Sequence, residues 1–105
     1  MAGLSEKDWK LFRKNLPEWQ EAYMGKLVEE YKEILNSDKL PSDKYWALEG
    51  RLKSDKRNPG VVITDISRSN FYDHLVSLLR YKVITMDDLR DFSDDTKDII
   101  KRLIG

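Results

Sequence analysis

A chain of 105 residues can bury one hydrophobic core and is too short for two. Nineteen basic and nineteen acidic residues cancel, and they do so locally: residues 1–57 hold twelve basic against eleven acidic side chains, and residues 58–105 hold seven against eight. That balance lacks the one-sided basic excess on which a nucleic-acid binder relies. The absence of cysteine excludes disulfides, thiolate nucleophiles and cysteine-ligated zinc.

Apolar residues make up 40% of the chain and charged residues 36%, so the core has to be assembled from narrow stripes, which suits amphipathic helices. The longest unbroken aliphatic run is Val61-Val62-Ile63, far short of the about 20 apolar residues that span a bilayer. The segment Met1 to Asp8 is acidic within six residues and lacks the apolar stretch of a secretory signal. The expectation is a cytoplasmic protein with no membrane partner.

Along the chain, Ser5 reads as an N-cap with Asp8 three residues on, its carboxylate placed to reach back to free backbone amides. Trp9, Phe12 and Leu16 then repeat at helical spacing. Pro17 suits the first turn of a new helix, which predicts a bend at Asn15 to Pro17. A second, longer helix carries Trp19, Tyr23, Leu27, Tyr31 and Ile34 on one stripe, widened by Met24, Val28 and Leu35.

Asn36 to Pro41 reads as a linker and Ser42 as the cap of a third helix, with Tyr45, Leu48 and Leu52 inward and an end near Asn58. Asn58-Pro59-Gly60 is the clearest punctuation and joins halves 1–57 and 61–105 of one domain. Val61 to Ile66 is β-branched enough to be extended, yet Asn58 and Pro59 could equally open a helix. Phe71, Leu75, Leu78 and Leu79 define the next helical stripe. Two short helices follow, capped by Thr85 with Asp88 and by Ser93 with Asp94 and Asp95. The fold class expected is all-α, a compact bundle of about five to six short helices, with an extended conformation open to residues 61–66.

The segments Leu4 to Arg13, Leu16 to Met24 and Asp88 to Asp94 together resemble a group of small uncharacterised proteins of Gram-positive gut bacteria, with a likeness covering nearly the whole chain. Some members carry the automatic label "multidrug transporter". This sequence contradicts that label, since no segment meets the demands of a bilayer. The resemblance implies a small helical fold and brings no catalytic or binding residues with it.

His74 is the single histidine, with Ser67, Ser69 and Asp73 near it in sequence. Asp73 and His74 would point about 100° apart on a helix, and no nucleophile elbow is present, so catalysis is not expected. The acidic segment Asp87, Asp88, Asp91, Asp94, Asp95 and Asp98 lacks the glycine turn and terminal glutamate of a calcium loop, so neither a metal nor another cofactor is expected. A helix-turn-helix reading of Phe71 to Asp95 would carry carboxylates toward a polyanion, which disfavours nucleic acid as a partner.

Two candidate surfaces remain. Arg51, Lys53, Lys56, Arg57 and Arg68 form an anion-binding candidate, alongside the plainer reading of dipole-matched charge at a helix end. Adjacent Tyr45 and Trp46 cannot share one stripe, so at least one should face outward as an interaction candidate, the alternative being cover from another helix. The leading functional expectation is a non-enzymatic helical module that binds another protein or a second copy of itself. Weak binding of nucleic acid or phosphate through the basic cluster comes second, and a small-molecule enzyme third.

Overall fold

The computed structural model describes residues 4–105, so the first three residues of the segment read above for a secretory signal lie outside it. Among the described residues the chain forms four α-helices and no strand: α1 (Glu6–Leu35), α2 (Pro41–Asp55), α3 (Phe71–Arg80) and α4 (Asp94–Ile104). Single 3-10 turns at Arg68–Asn70 and Met86–Leu89 precede α3 and α4. No helix among the described residues is long and apolar enough to cross a membrane.

The expected bend at Asn15 to Pro17 does not divide the chain: α1 runs unbroken for 30 residues with Pro17 inside it. A proline there removes one backbone hydrogen bond and crowds the preceding turn, at about 3 kcal/mol in an isolated helix. Pro17 sits on the exposed side, so water can reach the carbonyl it leaves unpaired, while Trp9, Phe12 and Leu16 before it and Leu27 after it are buried. Each such burial contributes about 1.5–3 kcal/mol, which together outweighs the local penalty. One helix therefore replaces the two anticipated.

The two ends of α1 serve different neighbours. Its first half packs on α3, α4 and the intervening turn, in a core of Trp9, Phe12, Leu16, Phe71, Leu75, Leu78, Leu89, Phe92 and Ile100. Phe12 and Phe71 meet edge to face at 5.3 Å, and Trp19 lies over Phe92 at 6.3 Å. Its second half pairs with α2 in an antiparallel hairpin, giving a molecule 58 × 25 × 24 Å in extent. α2 starts at Pro41, with Leu40 rather than Ser42 as N-cap, and ends at Asp55, a turn earlier than the spacing suggested.

The Asn58-Pro59-Gly60 turn is pressed against the middle of α1, where hairpin and core meet. Asn58 Nδ2 donates to Tyr23 Oη at 2.8 Å, Gln20 Nε2 donates to the Pro59 carbonyl at 3.0 Å, and the Gly60 N–H donates to Asn58 Oδ1 at 2.8 Å. A Cβ at Gly60 would overlap the Tyr23 ring and stand 2.7 Å from a Val83 methyl, so glycine is needed here for space. Residues 61–66 then run without regular structure, despite their β propensity, because no second strand offers a ladder among the described residues.

Asp8 does not reach back to its own helix start as expected. Ser5 Oγ does accept from the Asp8 N–H at 3.1 Å, but the carboxylate turns to α4. It accepts from the Ser93 N–H at 3.0 Å, from Ser93 Oγ at 2.6 Å and from Thr96 Oγ1 at 2.6 Å, and is fully buried. Burial alone would raise its pKa, but the hydrogen bonds from Ser93 and Thr96 more than offset this and hold it below the ordinary 3.8.

α3 ends in a Schellman motif: the Val83 N–H donates to the Leu78 carbonyl at 2.9 Å and the Lys82 N–H to that of Leu79 at 3.0 Å. Lys82 occupies the left-handed position at φ 61°, where glycine is favoured.

Asp8→Asn should lower stability by about 3 kcal/mol, since an amide cannot accept from all three donors. Because the folded pKa is depressed, the native contribution is fully present above the unfolded value, shrinks below it, and is gone once pH falls through the folded value; acid titration of unfolding should show this dependence in the native chain and lose it in the variant. Lys82→Gly should raise stability by about 0.5–1 kcal/mol in urea unfolding by relieving the left-handed backbone.

Candidate functional site

The hairpin is where exposed apolar surface collects. α2 has no fully buried residue, and the stripe it turns toward α1 is largely polar: Lys44, Leu48, Arg51 and Asp55, at spacings of four, three and four, are its partly buried members. Arg51 Nη2 donates to Glu30 Oε1 at 2.8 Å, its Nε lies 3.6 Å from Asp55 Oδ2, and its guanidinium stacks on Tyr31 at 5.7 Å. Tyr31 Oη donates to Asp55 Oδ2 at 2.5 Å. Burial, reinforced by this bond to a carboxylate, pushes the Tyr31 phenol up to about 12.

A seam held by polar contacts leaves the apolar residues of α2 elsewhere: of Tyr45, Leu48 and Leu52, expected inward, only Leu48 is partly buried, while Tyr45 and Leu52 face solvent. Tyr45 is 64% exposed and Trp46 65%, so both interaction candidates face solvent, in edge-to-face contact at 5.0 Å. Neither is covered by another helix. Beside them, Tyr45, Leu48, Glu49, Leu52, Lys53 and Lys56 line a groove of about 450 Å³. Val28 and Leu35 on α1 are also exposed.

The anion-binding candidates are dispersed rather than gathered. Arg51 is spent in the seam, Lys53 and Lys56 border the hairpin groove, and Arg57 lines a separate cleft with His74. Arg68 pairs with Glu6 at 3.0 Å and lies over Trp9 at 5.4 Å. Glu6 and Glu30, the carboxylates that Arg68 and Arg51 engage, are 24 residues apart on one helix, or about 36 Å. The five cations do not converge on one anion.

His74 is half-buried, its ring parallel to Phe12 at 6.4 Å, and its Nε2 lies 2.6 Å from the Asp65 carbonyl. Paired this way Nε2 carries the proton, and with Asn70 Nδ2 donating to the same carbonyl at 2.9 Å the imidazole fastens residues 61–66 onto α3. The histidine thus has a structural partner that sequence reasoning missed, because a backbone carbonyl leaves no trace in residue type.

The acidic segment is equally occupied with local structure. Asp88 Oδ2 accepts from the Thr85 N–H at 2.8 Å, Asp87 pairs with Arg90 at 2.9 Å, and Asp94 and Asp95 fill the first turn of α4. No group of three or more histidine, aspartate or glutamate side chains converges as a metal site among the described residues. The element after α3 is a four-residue 3-10 turn rather than a helix that could lie in a groove of DNA.

The Tyr31–Asp55 bond predicts a spectroscopic signature. Tyr31 should ionise near pH 12 in an ultraviolet absorbance titration, and Tyr31→Phe should remove that step. Comparison with protein-family models, with curated proteins and with solved structures finds no match for this chain.

Proposed function

We propose that this chain is a non-enzymatic, cytoplasmic protein-interaction module whose contact element is the α1–α2 hairpin. The observation that carries the reading is the mismatch on α2: a helix with no buried residue that presents Tyr45, Trp46 and Leu52 to solvent. Aromatic side chains supply much contact area for little lost conformational freedom, and they dominate the energetics of interfaces. Monomeric proteins rarely leave contiguous apolar surface uncovered without a binding role. Polar contacts along the seam hold the hairpin in shape and keep its greasy residues outward.

The phosphate-binding alternative has less support, because its cations point in several directions. The enzymatic alternative has less again, with His74 engaged by a backbone carbonyl.

The test is association of purified chain, alone and with lysate proteins, for the native sequence and for Tyr45→Ala/Trp46→Ala. The double variant should keep its helical circular dichroism and weaken association about 100-fold, as loss of a hot-spot pair does. Association that persists in the variant, or that collapses steeply with added salt, refutes the reading.

A further inference from the structure

Resting on that reading, we infer that the hairpin's partner is a second copy of this chain, the two hairpins closing into a four-helix bundle. On α1, Met24, Val28, Tyr31 and Leu35 recur at spacings of four, three and four, and on α2, Tyr45, Leu48 and Leu52 at three and four. This is the periodicity of a bundle seam.

The ion pair fixes where these stripes lie. Val28 and Leu35 stand about 140–160° around α1 from Glu30, and Tyr45 and Leu52 about 100–120° around α2 from Arg51. With the Glu30–Arg51 bridge along one flank of the hairpin, both stripes fall on the opposite flank. The contacts Gln20–Pro59, Tyr23–Asn58 and Glu30–Arg51 set the register. Val28 thereby comes level with Leu52 and Leu35 with Tyr45, forming one apolar face across both helices, with Tyr31 and Leu48 at its inner edge where the seam begins.

The core leaves this face open. Trp9, Phe12 and Leu16, which carry the core, lie about 100–160° around α1 from Val28, so α3 and α4 sit off to the other side. α2 is 15 residues long, so two helices about 22 Å long and about 10 Å apart present roughly 450 Å² per copy in projection, about 900 Å² for the pair, the size of a weak and reversible interface.

Charge on the rims selects the occupant. Along the outer edge of the face α1 carries Glu21 near the core end and Lys32 nearer the tip; α2 carries Lys56 near the core end and Glu49 nearer the tip. When two copies meet face to face with their tips pointing the same way, α1 of each lies over α2 of the other. Lys32 then comes level with Glu49 of the second copy, and Glu21 lies about 5 Å coreward of Lys56 of the second copy, within reach of the long lysine side chain. The two-fold axis makes each pair occur twice. Every neighbouring helix pair in the resulting bundle is antiparallel, the packing that up-and-down four-helix bundles use. Trp46, on the outer side of α2, stays uncovered and remains available to a different protein.

Sedimentation equilibrium of the purified full chain should show a dimer that dissociates on dilution. Val28→Asp and Leu52→Glu, each at an exposed position, should keep their circular dichroism and raise the dimer Kd by about 100-fold or more, because each places two charges in the apolar seam. The chain has no cysteine, so introduced thiols report orientation without interference. Glu21→Cys mixed with Lys56→Cys should form cross-linked dimers, while Glu21→Cys alone should not; a Glu21→Cys thiol that links instead to a cysteine placed at the hairpin tip overturns the arrangement.

A native chain that stays monomeric at about 200 µM, or a dimer indifferent to both face variants, overturns the second copy as partner. Persistence of Trp46-dependent binding to another protein in that case leaves the interaction module standing. Loss of both associations sinks the two readings together.

Discussion

A carboxylate with no exposure to solvent, satisfied by groups 85 and 88 residues away, fixes how this chain folds back on itself. Burying the Asp8 charge is tolerable only because three donors and the positive end of α4 surround it. The clasp joins the first turn of α1 to the first turn of α4 and so sets the rotation of α1 about its axis. That rotation decides which stripe enters the core. Because α1 continues unbroken past Pro17, the same rotation is carried along the helix to the hairpin, where Leu27 and Tyr31 meet α2.

One helix serving two neighbours divides the molecule energetically. The core end is held by aromatic and aliphatic packing, with Phe12, Phe71, Leu75, Leu78, Leu89 and Ile100 fully enclosed. The hairpin end buries Leu27 alone among its apolar side chains and relies on Tyr31, Arg51, Asp55 and Glu30 to keep the helices in register. Ion pairs at such exposure contribute little stability, about 0–1 kcal/mol each. They do confer specificity, since only one register satisfies all of them.

Helical periodicity made much of the fold readable in the sequence. The stripes Trp9, Phe12, Leu16 and Phe71, Leu75, Leu78 are buried as their spacing implies, and Ser93 caps α4 through its hydroxyl. Pro17 was misleading because its penalty is local, whereas the packing that overrides it is tertiary. Asp8 was misread for a related reason: a carboxylate three residues after a serine looks the same whether it turns to its own helix or to one at the far end of the chain. Of the candidate site, the exposure of Trp46 was legible, since neighbours on a helix point about 100° apart, but that of Tyr45 was not, because its spacing to Leu48 and Leu52 reads as an inward stripe. The scattering of Arg51, Lys53, Lys56, Arg57 and Arg68 was not. Closeness along the chain says little about closeness in space once a helix ends and a turn intervenes.

The span of the Asp8 clasp bears on how the protein emerges during synthesis. The α1–α2 hairpin closes over a loop of a few residues and has all its parts once Gly60 is made. The core, by contrast, lacks Phe92, Thr96 and Ile100 until the chain is almost finished. Contacts between distant residues form late and slowly, while local ones form early. The hairpin is therefore the first unit whose parts are all present on the ribosome, and Trp9 and Phe12 of α1 gain Phe71 of α3 before Phe92 and Ile100 can close the core.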